Sequence, residues 1–332
     1  MTGTGGIINV GFTCYANALF QSLRNCYGIE KLCEEETYKK LLKKENKYNE
    51  TTIQFANLVQ QLSTMDSSSS IRPNGFWHAF REVAKDSCFA HLISRQPHDA
   101  HEFLMFLLDS LHESLSREIT MSITQCSLKS EKQIFHQKSL ETWKASFEKH
   151  YSPIVELFFG MFHIQIICSC GNISNRWETF NTLKGVMGKN EKYTLLECIH
   201  GELNEEIIEG YVCDSCKKRT NAVRKTKVWK LPKNLIIVLK RFTYDGRKIH
   251  TPLVRFNEDI CLAELFSASS PNKKDSNYTL RSIVDHHGSS NGGHYTAQVK
   301  QGDKCYNYDD ESVSETDIQM GSSSYIIFLE KV

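Results

Sequence analysis

Apolar positions in the first third of the chain recur at helical spacing. Tyr15, Ala18, Leu19 and Leu23 share one face after Cys14, and Phe55, Leu58, Val59 and Leu62 repeat the pattern. The strongest helix is expected from Asp99, where Ala100, Phe103, Leu104, Leu107, Leu108 and Leu111 form a continuous stripe and Asp99 and Glu102 are spaced as a capping box. Between Gln60 and Pro73, Ser-Thr-Met-Asp and four serines read as a polar connection. Residues 116–152 mix polar and charged positions with few strong signals and are expected to link two lobes. From Phe158 onward β-branched and aromatic residues take over. Phe162, Ile164 and Ile166 alternate, and residues 236–239, 295–299 and 325–329 read as strands. Residues 267–277 are expected to form a surface loop, and no internal repeat is found. A helical lobe followed by a strand-rich lobe is an α+β layout.

Composition narrows the function. A chain of 332 residues can bury a substantial core, as one domain or two, and its formal net charge of +1 gives no basis for a nucleic-acid or membrane partner. No long apolar run or signal-like start is present, so a soluble, intracellular protein of cytoplasm or nucleus is expected, with its twelve cysteines reduced.

One of those cysteines stands out by position. Cys14 lies where a loop meets a helix start, and unpaired backbone N–H groups there favour a thiolate. Most lone cysteines are small buried hydrophobes. Cys14 has distant partners suited to nucleophilic catalysis: His294 after Gly292-Gly293 as base, and Asp309 or Asp310 to hold the imidazole. Asn9 reads either as a turn residue beside Gly11 or as a donor to an oxyanion. Adjacent Asp309 and Asp310 would face opposite sides of a strand, so one of them orients His294.

The segment Gly-Ile-Ile-Asn-Val-Gly-Phe-Thr-Cys-Tyr-Ala-Asn at 6–17 resembles the cysteine box of the ubiquitin-specific proteases. His286 through Ala297, with Tyr308-Asp309-Asp310, resembles their histidine box. Gln96 through Leu104 and Leu231 through Phe242 match further signatures in the family's order. The resemblance implies a papain-like cysteine protease fold over 1–332, with a helical thumb and connection (about 1–150), zinc-ribbon-like fingers (about 154–232) and a strand-rich palm (about 233–332). It implies a thiol-dependent deubiquitinase that hydrolyses the isopeptide or peptide bond after the C-terminal glycine of ubiquitin. Because the cysteine box begins within ten residues of the start, the chain reads as a catalytic domain and little else, and a monomer is expected.

The resemblance also distributes roles. It makes Cys14 the nucleophile, His294 the base and then the acid, and Asp309 the orienting carboxylate. Asn9 and the Cys14 backbone N–H become oxyanion donors, and Asp310 assists there or steadies the loop. Asp99, a natural helix N-cap, is also placed beside the substrate's extended tail, with Phe242 and Tyr295 as narrow walls and His286 in a supporting or tail-contacting position. Catalysis needs no cofactor. Cys213-Asp214-Ser215-Cys216 has the C-x-x-C spacing of a metal knuckle, whereas Cys168-Ser169-Cys170 departs from the family's second C-x-x-C because Ile167 holds the expected first position. Structural zinc through all four is the expectation, with a metal-free or three-ligand finger as the alternative. An inactive ubiquitin-binding module and a protease for a ubiquitin-like modifier remain the other readings.

Overall fold

The structure, a computed structural model, describes residues 3–123, 130–256, 259–289 and 292–332. Part of the expected connection, residues 124–129, and two positions of the histidine box, 290–291, lie outside the described residues. The first lobe opens with a short strand, β1 (Gly6–Ile7), and the helix α1 (Cys14–Arg24), every residue of which is buried. Then follow α2 (Ile29–Cys33), α3 (Glu35–Leu41), α4 (Asn49–Thr64), β2 (Ser70–Ile71) paired in parallel with β1, α5 (Asn74–Ala84) and α6 (Ala100–Leu115). Thr64, expected in the polar connection, closes α4 instead.

Helix α6 follows from its stripe. Ala100, Phe103, Leu104, Leu107, Leu108 and Leu111 are all buried, and Phe103 packs edge-on to Tyr15 and Phe20 of α1. Asp99 caps it, its Oδ1 accepting from His101 N at 2.7 Å and Glu102 N at 3.2 Å. The capping box is only half formed, because the Glu102 carboxylate turns to His91 Nε2, 2.9 Å away.

The connection at 116–152 contains a further helix, α7 (Glu131–Phe147), opened by a true capping box between Ser130 and Gln133. Phe135, Ser139, Trp143 and Phe147 recur every fourth residue, a stripe one residue wide on an otherwise polar helix. Phe135 docks on Trp177 and His163, and Phe147 on Phe159. So narrow a stripe escapes a search for broad amphipathicity.

After α8 (Pro153–Phe158) the chain builds two sheets. The smaller holds β3 (Gly160–Cys168) and β4 (Ile173–Phe180). The chain then crosses to the larger sheet as β5 (Leu183–Val186), adds α9 (Leu195–Glu202), and returns to the smaller one as β6 (Glu206–Val212) and β7 (Arg219–Lys230), giving the order β4-β3-β7-β6. The larger sheet is completed by β8 (Asn234–Lys240), β9 (Asp259–Cys261), β10 (Asn277–Ser289), β11 (Gly292–Gln301), β12 (Lys304–Asp309), β13 (Ser312–Thr316) and β14 (Ser324–Lys331). Its path runs β13-β12-β11-β10-β14-β8-β5, antiparallel except for β5 beside β8, with β9 on β10. Residues 267–276 form the expected loop, with Asn277 opening β10.

Two buried polar groups join the lobes. Asn234 of β8 accepts from Tyr27 N at 2.9 Å and donates to Tyr27 O at 3.0 Å. Arg24, at the end of α1, donates to Gly3 O at 2.8 Å and to Tyr308 Oη on β12 at 3.1 Å. Both satisfy partners that burial would otherwise leave bare. Among the described residues, no helix is long and apolar enough to cross a membrane.

Candidate active site

The seam between α1 and the larger sheet gathers the residues singled out in the sequence. Cys14 opens α1 and lines a cleft of about 400 Å³ together with Asp99, Phe242, His286 and Tyr295. Phe12, Tyr15, His98 and Glu102 line it as well, and the sequence reading gave none of them a part in the site. Rings form one wall: His286 lies 4.6 Å from Tyr295 and 5.4 Å from Phe242, centroid to centroid. Asp99 is largely committed to the fold, since its Oδ2 accepts from Tyr325 Oη at 2.6 Å in addition to the cap.

Glycines at 292–293 are needed for different reasons. A Cβ on Gly293 would lie 2.2 Å from the His287 carbonyl oxygen and 2.4 Å from His286 Nε2, so strand β10 forbids any side chain there. Among the described residues, a Cβ on Gly292 would meet nothing within 4 Å. That side is open to a ligand's backbone.

His294 and Asp309 are brought together by the register of β11 and β12, with Nε2 and Oδ1 2.6 Å apart. An ionised carboxylate only accepts, so Nε2 carries the proton and Nδ1 is left as the basic nitrogen. Asp310 leaves strand β12 for a two-residue turn at φ +53°, a region aspartate tolerates, and its carboxylate stays within 4.8 Å of the His294–Asp309 pair while turning to α1. Its carboxylate accepts from Asn9 Nδ2 at 2.9 Å and Asn17 Nδ2 at 2.7 Å, while its carbonyl accepts from Ile7 N at 2.9 Å. Asn17 sits one turn along α1 from Cys14, and that i, i+3 spacing was the available sign of a role.

Asn9 serves its loop at the same time. Its Oδ1 accepts from Gly11 N at 3.0 Å and Thr13 N at 3.1 Å, which fixes the amide plane. The turn role and an outward-facing amide therefore coexist.

The expected thiolate is not favoured by the site at rest. Burial pushes the Cys14 thiol above its ordinary value; the Tyr295 backbone N–H pulls the other way, and the Asp310 charge adds to the rise. Among the described residues no hydrogen bond joins Cys14 to His294; the imidazole lies with Asp309 and Asp310, one ligand atom of each within 4.8 Å of the others. The helix start alone does not outweigh desolvation here.

The four cysteines also converge, at the far end of the smaller sheet. Cys168 and Cys216 sulfurs are 4.0 Å apart, Cys170 and Cys213 3.8 Å, and all four lie within 4.8 Å of one another. Tetrahedral zinc with bonds of about 2.3 Å sets its sulfurs about 3.8 Å apart, so the cluster fits that ion. Gly171 at φ +87° turns the chain tightly enough for the short C-x-C pair to present both thiols. Backbone N–H groups of Cys216 and Ser215 hold the Cys213 thiol down, to about 7.

Comparison with known proteins places this geometry. The profile of the ubiquitin carboxyl-terminal hydrolase family matches residues 5–329. Ubiquitin carboxyl-terminal hydrolase 2 of Homo sapiens is 27% identical over 99% of this chain and 55% of its own length. Ubiquitin carboxyl-terminal hydrolase 36 of Drosophila pseudoobscura pseudoobscura is 29% identical over 98% of this chain and 29% of its own. The chain thus spans about half the length, or less, of these curated relatives. Among solved structures, the SAGA Ubp8/Sgf11/Sus1/Sgf73 DUB module bound to ubiquitin aldehyde superposes with a TM-score of 0.72 at 21% identity, covering 99% of this chain and 69% of that one. The likeness establishes the shared fold.

His286 gives the site a pH signature. Burial first, then the Lys248 and His287 charges, lower its pKa to about 4, and its buried Nδ1 has no partner among the described residues. An unfolded imidazole takes a proton near 6.5, so between about 6.5 and 4 the unfolded state binds more protons and acidification removes stability. Half-buried His101 and His112 and buried His163 act in the same direction. Urea unfolding at pH 7 and 4.5 should therefore show wild type losing about 1–3 kcal/mol more than His286→Phe over that interval. Equal losses would remove the assignment.

Proposed function

Because the chain belongs to the ubiquitin carboxyl-terminal hydrolase family, we propose that it is a thiol protease that cleaves the isopeptide or peptide bond after the C-terminal glycine of ubiquitin. The observation that supports the proposal most is Asp310, which acts on Cys14, holds Asn9 and lies within 4.8 Å of the His294–Asp309 pair. An inert binding domain has no chemical need for all five.

The steps follow from the residues. The tail's last residues lie in the cleft between the Phe242–His286–Tyr295 wall and α6, and the open flank of Gly292 accommodates an extended backbone. With the substrate in place, His294 Nδ1 takes the Cys14 proton and Asp309 stabilises the imidazolium. Thiolate formation thus depends on imidazole pairing, since burial and Asp310 both oppose it. Attack forms the C–S bond and an oxyanion, received by the Cys14 backbone N–H and the Asn9 amide, one N–H of which is already held by Asp310. Collapse breaks the C–N bond as the imidazolium protonates the departing amine, and water later releases the acyl group.

We assign the helical lobe, the smaller sheet and the larger sheet as thumb, fingers and palm, with zinc held by Cys168, Cys170, Cys213 and Cys216 pinning the fingertip that grips the body of ubiquitin. A closed four-thiolate site leaves no open position for substrate, so its part is structural. A nucleophilic thiol and four thiolate ligands suit a reducing, intracellular compartment.

A panel of ubiquitin and ubiquitin-like C-terminal electrophiles tests the reading. Ubiquitin probes should label wild type and not Cys14→Ala. Equal labelling of the variant would sink the nucleophile assignment, and labelling by a ubiquitin-like probe alone would change the substrate. Metal analysis of the purified protein should find about one zinc per chain. A folded, active preparation without it would remove the finger assignment.

A further inference from the structure

Away from the cleft, helix α7 and strands β3 and β7 border a further cavity, of about 230 Å³. Leu140 and Trp143 come from α7, Met161 from β3, Trp229 and Lys230 from β7, and Asn272 from the 267–276 loop. None of its lining residues borders the cleft that holds Cys14.

Lys230 brings a positive charge to this space without a matching negative one. No carboxylate lines the cavity, and among the described residues Lys230 makes no ion pair. Its ammonium lies 3.7 Å from the centroid of the Trp143 ring instead, a cation–π contact that holds the charge without neutralising it. Burial first, then the Lys331 charge, push its pKa down. Glu156, the smallest of the three influences, opposes them and already accepts from Tyr151 Oη at 2.5 Å. An ammonium that is desolvated, repelled by a neighbouring cation and short of a counter-ion has one unmet requirement, an anion.

The walls state what else that anion carries. Leu140, Met161 and the Trp143 and Trp229 indoles suit a ring better than a hydrated inorganic ion. The volume falls below the roughly 300–1,000 Å³ of sites for drug-sized ligands, so the occupant is small. Asn272 donates one amide hydrogen to Trp229 O at 3.1 Å and keeps the other, while the Ser139 hydroxyl is engaged by His136 O at 2.7 Å. Lys230 and Asn272 therefore supply the donors.

We propose that this cavity binds a small aromatic carboxylate, its ring against Leu140, Met161 and Trp229 and its carboxylate on the Lys230 ammonium. Charge complementarity carries that choice, because a neutral ring of the same shape would leave the ammonium unpaired. The hydrolase reading is not a premise here, since the cavity and the cleft share no residue.

Isothermal titration of the whole chain with cinnamate and with cinnamamide, a neutral molecule of nearly the same shape, reads the ratio of their affinities. Wild type should prefer the carboxylate about tenfold or more. Lys230→Met keeps an unbranched stem without the charge and should bring the ratio to about one. Leu140→Glu adds a competing carboxylate at an exposed position of the lining and should lower cinnamate affinity about threefold to tenfold while changing cinnamamide less. Should Lys230→Met fail to fold, Leu140→Glu decides alone. Absence of cinnamate binding to wild type, equal affinity for the two probes, or a preference that the folded variants retain in full overturns the proposal.

Discussion

The Asp310 carboxylate is the constraint on which the candidate site depends. It binds the amides of Asn9, before the nucleophile, and Asn17, one turn beyond it, from a turn that directly follows Asp309. Hydrogen bonds to an ionised acceptor are stronger than neutral ones, and these join the two lobes at the point where chemistry would occur. Arg24 repeats the connection farther along α1, reaching Tyr308 beside Asp309. The same charge opposes ionisation of Cys14. Position is thus gained against reactivity, and the imidazole is left to supply what the thiol needs.

Glycine and aromatic side chains divide the work around this clamp. Gly293 lets β11 approach β10 closely enough to bury His286, whose ring packs with those of Phe242 and Tyr295 into a cleft wall. A wall of that kind suits an extended backbone. On the other face of β11 the surface is polar.

Much of this was legible in the sequence, and what was not has physical causes. The α6 stripe, the strand-rich second half and the cysteine and histidine boxes could be read because each depends on local pattern or on motif spacing. Helix α7 was missed because its four anchoring positions make a stripe too narrow to register against charged neighbours. The passage of β5 into the larger sheet between two strands of the smaller depends on long-range pairing, which periodicity does not encode. Asn17 lay inside a recognised motif, yet its partner is 293 residues away. The thiol's resting state was misjudged for a related reason: a helix start is visible in the sequence, but burial is a property of the folded seam.

The central claim is that Asp310 serves catalysis through Asn9 by holding its amide toward the oxyanion. A double-mutant cycle measures that directly, with kcat on a fluorogenic ubiquitin substrate read for Asn9→Ala, Asp310→Ala and the pair. Each single change should lower kcat by about 10²–10³ or less, and the double variant should lose less than the product of the two single losses, because both changes remove the same Asn9–Asp310 bond while Asp310 also holds Asn17. Losses that multiply in the double variant would show independent roles and contradict the account.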